Sequence, residues 1–334
     1  MKKVINHSDN IISEMVKGIA HAYPNDISVV GEHEGVIRKK GTPNKVAVVV
    51  GGGSGHEPMF FGYVGEGMAD AAVIGNFFAA PNPMSICKTV RALEPTAGVL
   101  FIYGNYAGDV LNFEMASEML ELEGIETINI KVTDDLASAP KNKKENRRGI
   151  AGDLFVIKVA GAAAKQGLNL EECARIAEKA NQSISSIGVG IAPFINPINQ
   201  QENFHLGPEE IEFGLGIHGE PGIKKTNMQP ANELVDELFN LLVVEQNLSD
   251  QTELIVMVNG MGSTTLMELY IVNNRLAERL NHTKVTVIQT LVGNYCTTQE
   301  MAGFSISLFA VDQELKELYL APANSLFFKL EGIR

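Results

Sequence analysis

Tryptophan is absent, cysteine is limited to three residues, and basic side chains are outnumbered, 27 lysines and arginines against 40 aspartates and glutamates. Cys87, Cys173 and Cys296 lie far apart with no CxxC pair, which argues against structural disulfides and points to a reducing compartment. The formal charge of -13 leaves no sustained supply of cations for neutralising phosphates, so a nucleic-acid partner is not expected. One basic run, KNKKENRR at 141–148, is the exception and reads as a solvated loop. No window of about 18 apolar residues exists to span a bilayer, and no apolar segment follows the polar first ten residues. A cytoplasmic location without membrane contact is the expectation. Two nucleotide motifs are also missing. GGGSGHEP puts His and Pro where a dinucleotide fingerprint needs small residues, and no GxxxxGK[ST] occurs, so strong adenine-nucleotide binding is not expected and any phosphoryl chemistry would need a donor from elsewhere.

What is present is an α/β pattern. A chain of 334 residues with 45% hydrophobic content exceeds the usual size of one core, so two domains are expected, 1–183 and 184–334. In the first, apolar strands at 46–50, 71–74, 98–103 and 127–132 alternate with helices at 6–23 (with Ser8 or Asp9 as cap), 85–93, 113–122, 154–166 and 170–182, the signature of a doubly wound, mainly parallel sheet. The second is expected to be a smaller mixed-sheet domain, with strands at 187–191, 211–217, 254–258, 285–291 and 305–311 and helices at 231–242 and 266–280.

Three polar turns carry the chemistry. VAVVVGGGSGHEP at 46–58 places glycines and His56 after a buried strand, where open α/β sheets bind ligands. Gly51, Gly52, Gly53 and Gly55 are expected to form a turn that offers successive N–H groups to an oxygen-rich ligand; the plain alternative is a tight strand-to-helix connection. GNYAGDV at 104–110 ends another strand and presents Asp109. GIHGEPG presents His218 between glycines and beside a carboxylate. The two histidines can serve one ligand, one ring as base and the other as nucleophile toward a carbonyl, with Asp109 as hydrogen-bond acceptor or acid/base. A His and Asp metal site is the other reading of these residues, but no HExxH-like spacing supports it.

GGGSGHEPMFFGYVGEGM, GNYAGDVLNFE, RRGIAGD, IEFGLGIHGEPG and EMAGFSISL, spread over nearly the whole chain, resemble the dihydroxyacetone kinase family, specifically its substrate-binding K subunit. The resemblance implies a covalent hemiaminal between a short ketose and His218. It further implies that His56 is the general base, that Asp109 lies beside the substrate hydroxyls, and that Gly53, Ser54, Gly55 and Gly104 are substrate contacts. No cofactor is then expected on this chain; magnesium and ADP belong to an L-type partner subunit recharged by the phosphotransferase system, and the K subunit is a homodimer. Family members that use ATP directly carry a fused helical nucleotide-binding domain, so a chain ending at Arg334 is expected to be a stand-alone subunit.

Two departures from the family pattern bear on function. Gly104 stands where the best-known members have a basic residue, and APFINPINQ after Ile191 replaces a loop rich in cysteine, threonine and glycine. Two further readings follow: a kinase subunit for a related ketose such as erythrulose, or an inactive ketose-binding paralogue that co-activates a transcription factor.

Overall fold

The run of valines and glycines at 47–54 continues further as a strand than its composition suggests. The computed structural model describes residues 2–41, 44–249 and 251–332, so the outermost residues of the two expected domains lie outside the described residues. The chain divides into two compact units, each assembled from separate stretches: one from Lys2–Val132, Asp153–Ala180 and Glu314–Arg334, the other chiefly from Thr133–Gly152 and Asn181–Gln313. A crossing lies at 180/181, beside the expected boundary at 183; further crossings fall at 132/133, 152/153 and 313/314.

In the first unit, strands β1 (Ile27–Val30), β2 (Gly35–Arg38), β3 (Ala47–Ser54), β4 (Gly65–Glu66), β5 (Ala71–Phe77), β6 (Val99–Gly104) and β7 (Thr127–Val132) follow in order. Six of them form one sheet, ordered β1-β2-β5-β3-β6-β7. β5, β3, β6 and β7 pair in parallel, and β1 and β2 add an antiparallel edge. Helix α1 (Ile11–Ala22) precedes the sheet; α2 (Pro83–Leu93) and α3 (Ala107–Glu121) connect its strands. Ile86, Val90, Phe113 and Leu120 from α2 and α3 pack on Val49, Val73, Phe101 and Tyr103. Val48, Val50, Leu100 and Ile102 alternate with these, so they face the opposite side and are equally buried. On β3 and β6 packs α4 (Asp153–Lys165), completing the doubly wound arrangement.

The glycines are a correction to the sequence reading. Gly51 and Gly52 pair with Val73 and Ile74 inside the sheet, and β3 ends only at Ser54. A Cβ on Gly52 would lie 2.4 Å from the Phe60 ring, and one on Gly53 2.8 Å from the backbone nitrogen of Ala79. Glycine is needed here for close approach more than for turning.

The second unit carries β8 (Ile184–Ala192), β9 (Glu210–Phe213), β10 (Lys224–Asn227), β11 (Glu253–Gly260), β12 (Thr286–Gly293) and β13 (Ala302–Val311). They form a mixed sheet ordered β10-β9-β8-β13-β11-β12, antiparallel except for the β11–β12 pair. Helix α5 (Leu170–Gln182) leads into it, and α6 (Ala231–Gln246) and α7 (Leu266–Asn281) lay Leu234, Leu238, Leu269, Val272 and Leu276 on Ile187, Val189, Val256 and Ile306. A Thr265 and Glu268 capping box starts α7.

Back in the first unit, α8 (Gln313–Leu320) is followed by β14 (Ala323–Ser325) and β15 (Lys329–Leu330); β14 pairs with β4 on one side and β15 on the other in a three-stranded sheet. Short strands without strong alternation gave no sequence signal for it. Buried Lys158 of α4 donates to the Leu318 carbonyl at 2.8 Å and so secures α8. In the middle of α4, a Cβ on Gly161 would lie 2.5 Å from both the Cα and the carbonyl oxygen of Met68, backbone that cannot rotate away. Gly161→Ala is therefore expected to destabilise the protein by about 2 kcal/mol despite alanine's better helix propensity, read as a lowered urea midpoint. An unchanged midpoint would show that the Met68 turn shifts freely.

Candidate functional site

His56 stands two residues beyond β3 and is only 3% exposed. Its ring stacks on Phe78, with centroids 4.7 Å apart and planes 18° from parallel. Phe78 takes a left-handed φ of 49°, an uncommon conformation for a bulky residue, and its N–H donates to the Ser54 carbonyl at 2.9 Å. Gly55 has φ 115°, and a Cβ there would lie 2.3 Å from the Phe78 ring. Two groups expected to face a ligand already have partners inside the protein. The Ser54 hydroxyl donates to the Gly75 carbonyl at 2.7 Å, and the Gly55 N–H to Glu57 Oε1 at 2.9 Å. Burial raises the Glu57 carboxyl above its ordinary value against the pull of that N–H.

Asp109 is placed differently from its sequence expectation. Helix α3 starts at Ala107, not near 113, so Asp109 is the third residue of the helix and not part of a loop. An acidic side chain in a first turn complements the positive end of the helix dipole, and the small residues Ala107 and Gly108 give the helix no bulky obstacle to starting early. Asp109 is 9% exposed. The start of α3 meets the same segment that carries Phe78: Asn112 donates to the Pro81 carbonyl at 2.9 Å, and a Cβ on Gly108 would touch the Ala80 methyl at 3.4 Å. The 78–81 segment is thus bordered by the His56 turn and by the helix that bears Asp109. Gly104 ends β6, and the next N–H, of Asn105, donates to the Val132 carbonyl.

His218 belongs to the other unit. β9 ends at Phe213, four residues earlier than the alternation at 211–217 suggests, because Gly214 turns the chain with φ 73°. The 214–222 turn closes on itself: Gly216 N–H donates to the Glu220 carbonyl and Gly219 N–H to the Gly216 carbonyl, both at 3.0 Å. Thr298 donates to the Ile217 carbonyl at 2.8 Å, and Gly222 N–H to Glu212 at 2.7 Å. Glu220 holds the histidine twice, accepting from its backbone N–H at 2.9 Å and meeting ring Nδ1 at 3.0 Å. Burial pushes the Glu220 carboxyl up, but the His218 ring and the Arg148 charge outweigh it and hold the group at about 2. The His218 side chain is 27% exposed. The 192–200 loop leads to Asn203 and Phe204, which lie 2.7 and 3.1 Å from where a Gly219 Cβ would stand. Phe194 of that loop exchanges two hydrogen bonds with Asn203, so the altered loop is joined to a residue that borders the His218 turn.

The sequence quoted Arg148 only as part of a motif and gave it no role; here it meets Glu220 at 3.6 Å. No spacing rule joins residues 72 apart, so nothing in the sequence pattern signalled this contact.

A family model for the Dak1 domain matches residues 17–327. The chain belongs to the Dak1 domain family. Its Dak1 relatives include a protein of Listeria innocua named as the dihydroxyacetone-binding subunit of PTS-dependent dihydroxyacetone kinase 2, 40% identical and covering 99% of this chain and 100% of its own. The L-erythrulose 1-kinase of Mycolicibacterium smegmatis is 38% identical over 97% of this chain, which spans only 57% of that longer protein. Among solved Dak1-like structures, the dihydroxyacetone kinase operon co-activator Dha-DhaQ superposes with a TM-score of 0.90 at 34% identity, covering 95% of this chain and 98% of its own.

Proposed function

We propose that this chain is the ketose-binding subunit of a dihydroxyacetone-type kinase that receives its phosphoryl group from a partner protein. The near full-length similarity to PTS-dependent dihydroxyacetone-binding subunits carries this reading. The His218 turn is consistent with it, since a ring with a carboxylate at Nδ1 keeps its Nε2 lone pair for a carbonyl carbon. In this mechanism His218 bonds to the ketose carbonyl, fixes the substrate and supplies proximity. His56 then takes the proton of the primary hydroxyl as that oxygen attacks phosphorus, and Asp109 orients the hydroxyls. Among the described residues no group of three or more His, Cys, Asp or Glu side chains is placed to hold a metal ion. We assign magnesium and ADP to the L-type partner and take the working chain to be a homodimer. No helix among the described residues is long and apolar enough to cross a membrane, and a cytoplasmic location is part of the proposal.

A second reading, a ketose sensor that co-activates transcription, is favoured by the close superposition on the co-activator and by Gly104, which offers no charge to a transferring phosphoryl group. Dihydroxyacetone and erythrulose, each supplied with a charged L-type subunit and its phosphotransferase system, separate the readings. Ketose phosphate formation is the expected result. In His56→Asn the ketose still binds while transfer falls by about a hundredfold or more. Binding without transfer in the unaltered chain, across several donor subunits, would select the sensor, and absence of both would overturn the two readings together.

A further inference from the structure

The motif RRGIAGD has no part in the mechanism above, yet its second arginine reaches the histidine turn. Arg148 gives Nε and Nη2 to Asp135 Oδ2 at 3.0 and 2.9 Å, and its Nη1 faces Glu220 Oε2 at 3.6 Å. Glu220 holds the backbone N–H and ring Nδ1 of His218. Four side chains therefore stand in a row, Asp135, Arg148, Glu220 and His218, all within one compact unit. The inner end of the row is dry: Asp135 is 2% exposed and the Arg148 side chain 14%.

Two independent features show that this row is built into the local backbone. A Cβ on Gly216 would lie 2.2 Å from Glu220 Oε2 and 2.4 Å from Arg148 Nη1, so a larger residue there would push the guanidinium and carboxylate out of their present places. The arginine is also tied down through its main chain. Its N–H donates to Ser138 Oγ at 2.9 Å and its carbonyl accepts from the Asp135 N–H at 3.0 Å. Just beyond it, the buried Asp134 carboxylate accepts from Ile150 and Gly152 N–H at 2.7 and 2.8 Å. The loop that carries Arg148 is thereby fixed on both sides of the residue.

We propose that Arg148 is a positioning residue for His218: seated between Asp135 and Glu220, it fixes the carboxylate that keeps the ring proton on Nδ1 and so presents the Nε2 lone pair to the ketose. The proposal rests on the kinase-subunit reading for the identity of the ligand, but not for the state of the ring. An imidazole takes the tautomer set by the partner of its other nitrogen, and a carboxylate held at one oxygen by a guanidinium is less able to swing away. When the C–N bond forms from the Nε2 lone pair, the carbonyl π pair moves to oxygen, which takes one proton from solvent. The ring gains a positive charge, and Glu220 lies against the Nδ1 proton to offset it. Without Arg148, Glu220 would lose the cation at Oε2, and burial, which already pushes the Asp135 carboxyl up to about 7 against the pull of the guanidinium, would raise that group further.

The test uses the full chain with ¹⁵N-labelled histidine, His218 being assigned by comparison with His218→Asn. The unaltered chain is expected to show the Nδ1-protonated tautomer, and Arg148→Gln a mixture of the two. In Arg148→Gln the dihydroxyacetone concentration for half-saturation rises about tenfold, while the saturated transfer rate changes by less than roughly twofold. Arg148→Lys recovers part of the loss because it returns the charge without the fork. An Nε2-protonated ring in the unaltered chain, or an unchanged tautomer and half-saturation in Arg148→Gln, would overturn the proposal. Should Arg148→Gln fail to fold, Glu220→Gln takes its place, with the same tautomer change expected and an unchanged tautomer counting against it. An Nδ1-protonated ring that depends on Arg148 in a chain taking up no ketose would uphold the positioning role and reject the kinase-subunit reading.

Discussion

Dihydroxyacetone is expected to leave no adduct on a His218→Ala chain, and kcat/KM for the ketose is expected to fall by about a thousandfold. The size follows from what the proposed bond to the ring would do. A ketose held covalently has lost its translational and rotational freedom before the phosphoryl donor arrives, and alanine returns that entropy to the barrier. Selectivity should collapse with the rate. Glycerol has the hydroxyls of dihydroxyacetone but no carbonyl, so the unaltered chain is expected to reject it for want of a C–N bond, whereas His218→Ala should treat the two alcohols alike. Folding should be little affected, because the turn is closed by Gly216, Gly219, Ile217 and Gly222 through backbone groups, and the ring itself is 27% exposed. Phosphate transfer to both substrates, with the melting temperature as control, provides the check. A kcat/KM within tenfold of the unaltered chain would reject the covalent role.

Glu245→Ala should produce the largest loss of stability, about 3 kcal/mol. Glu245, near the end of α6, receives Arg147 Nη1 at 2.9 Å and Nη2 at 3.2 Å, and Arg147 is 1% exposed. The guanidinium also donates to the Ala139 carbonyl at 2.8 Å. Truncating the glutamate leaves a buried cation without its carboxylate, which accounts for the penalty. Replacing both partners, as Arg147→Met with Glu245→Leu, should cost much less, since no charge is then stranded. The sign of the pH dependence follows from the ionisation of Glu245. Burial pushes its carboxyl up, but Arg147, with Lys141 and Lys144, outweighs burial and keeps it below its ordinary 4.5. The stabilisation is therefore complete above that value and declines as pH falls through the lower folded value. Urea unfolding of the single and double variants at neutral pH and near pH 3 tests both statements. A single variant no worse than the double would contradict the argument.

Most strands and helices were legible because burial writes itself into composition: 127–132 and 170–182 match the observed elements, and the valines of β3 and apolar residues of β6 announced a two-sided sheet. The misreadings at β3 and at the start of α3 share one cause. Glycine was taken as punctuation, whereas Gly51 and Gly52 are strand residues pressed against Val73 and Phe60 and Gly108 is helical. Only the surroundings distinguish a glycine that turns from one that lets something approach. Gly55, Gly214 and Gly219, with positive φ, are of the turning kind. At the candidate site, His56, Asp109 and His218 were visible because each follows or closes an apolar run. Arg148 and Asp135 were not, since their link to Glu220 is made by the tertiary fold.

The interleaving of the chain sets an order of events during synthesis. The 133–152 stretch leaves the ribosome long before β11, β12 and β13, with which it shares a compact unit, and must wait for them without its final neighbours. The parallel sheet of β3, β5, β6 and β7 is complete early, but α8, β14 and β15 arrive last. Neither unit can be finished by a nascent chain halted between them. A fragment cut at 183 would strand 133–152 and lack α8, β14 and β15, so gene fragments designed on a single linear boundary would yield incomplete bodies prone to association through their uncovered apolar faces. Splitting this protein calls for cuts at several crossings, or for circular permutation, instead of simple truncation.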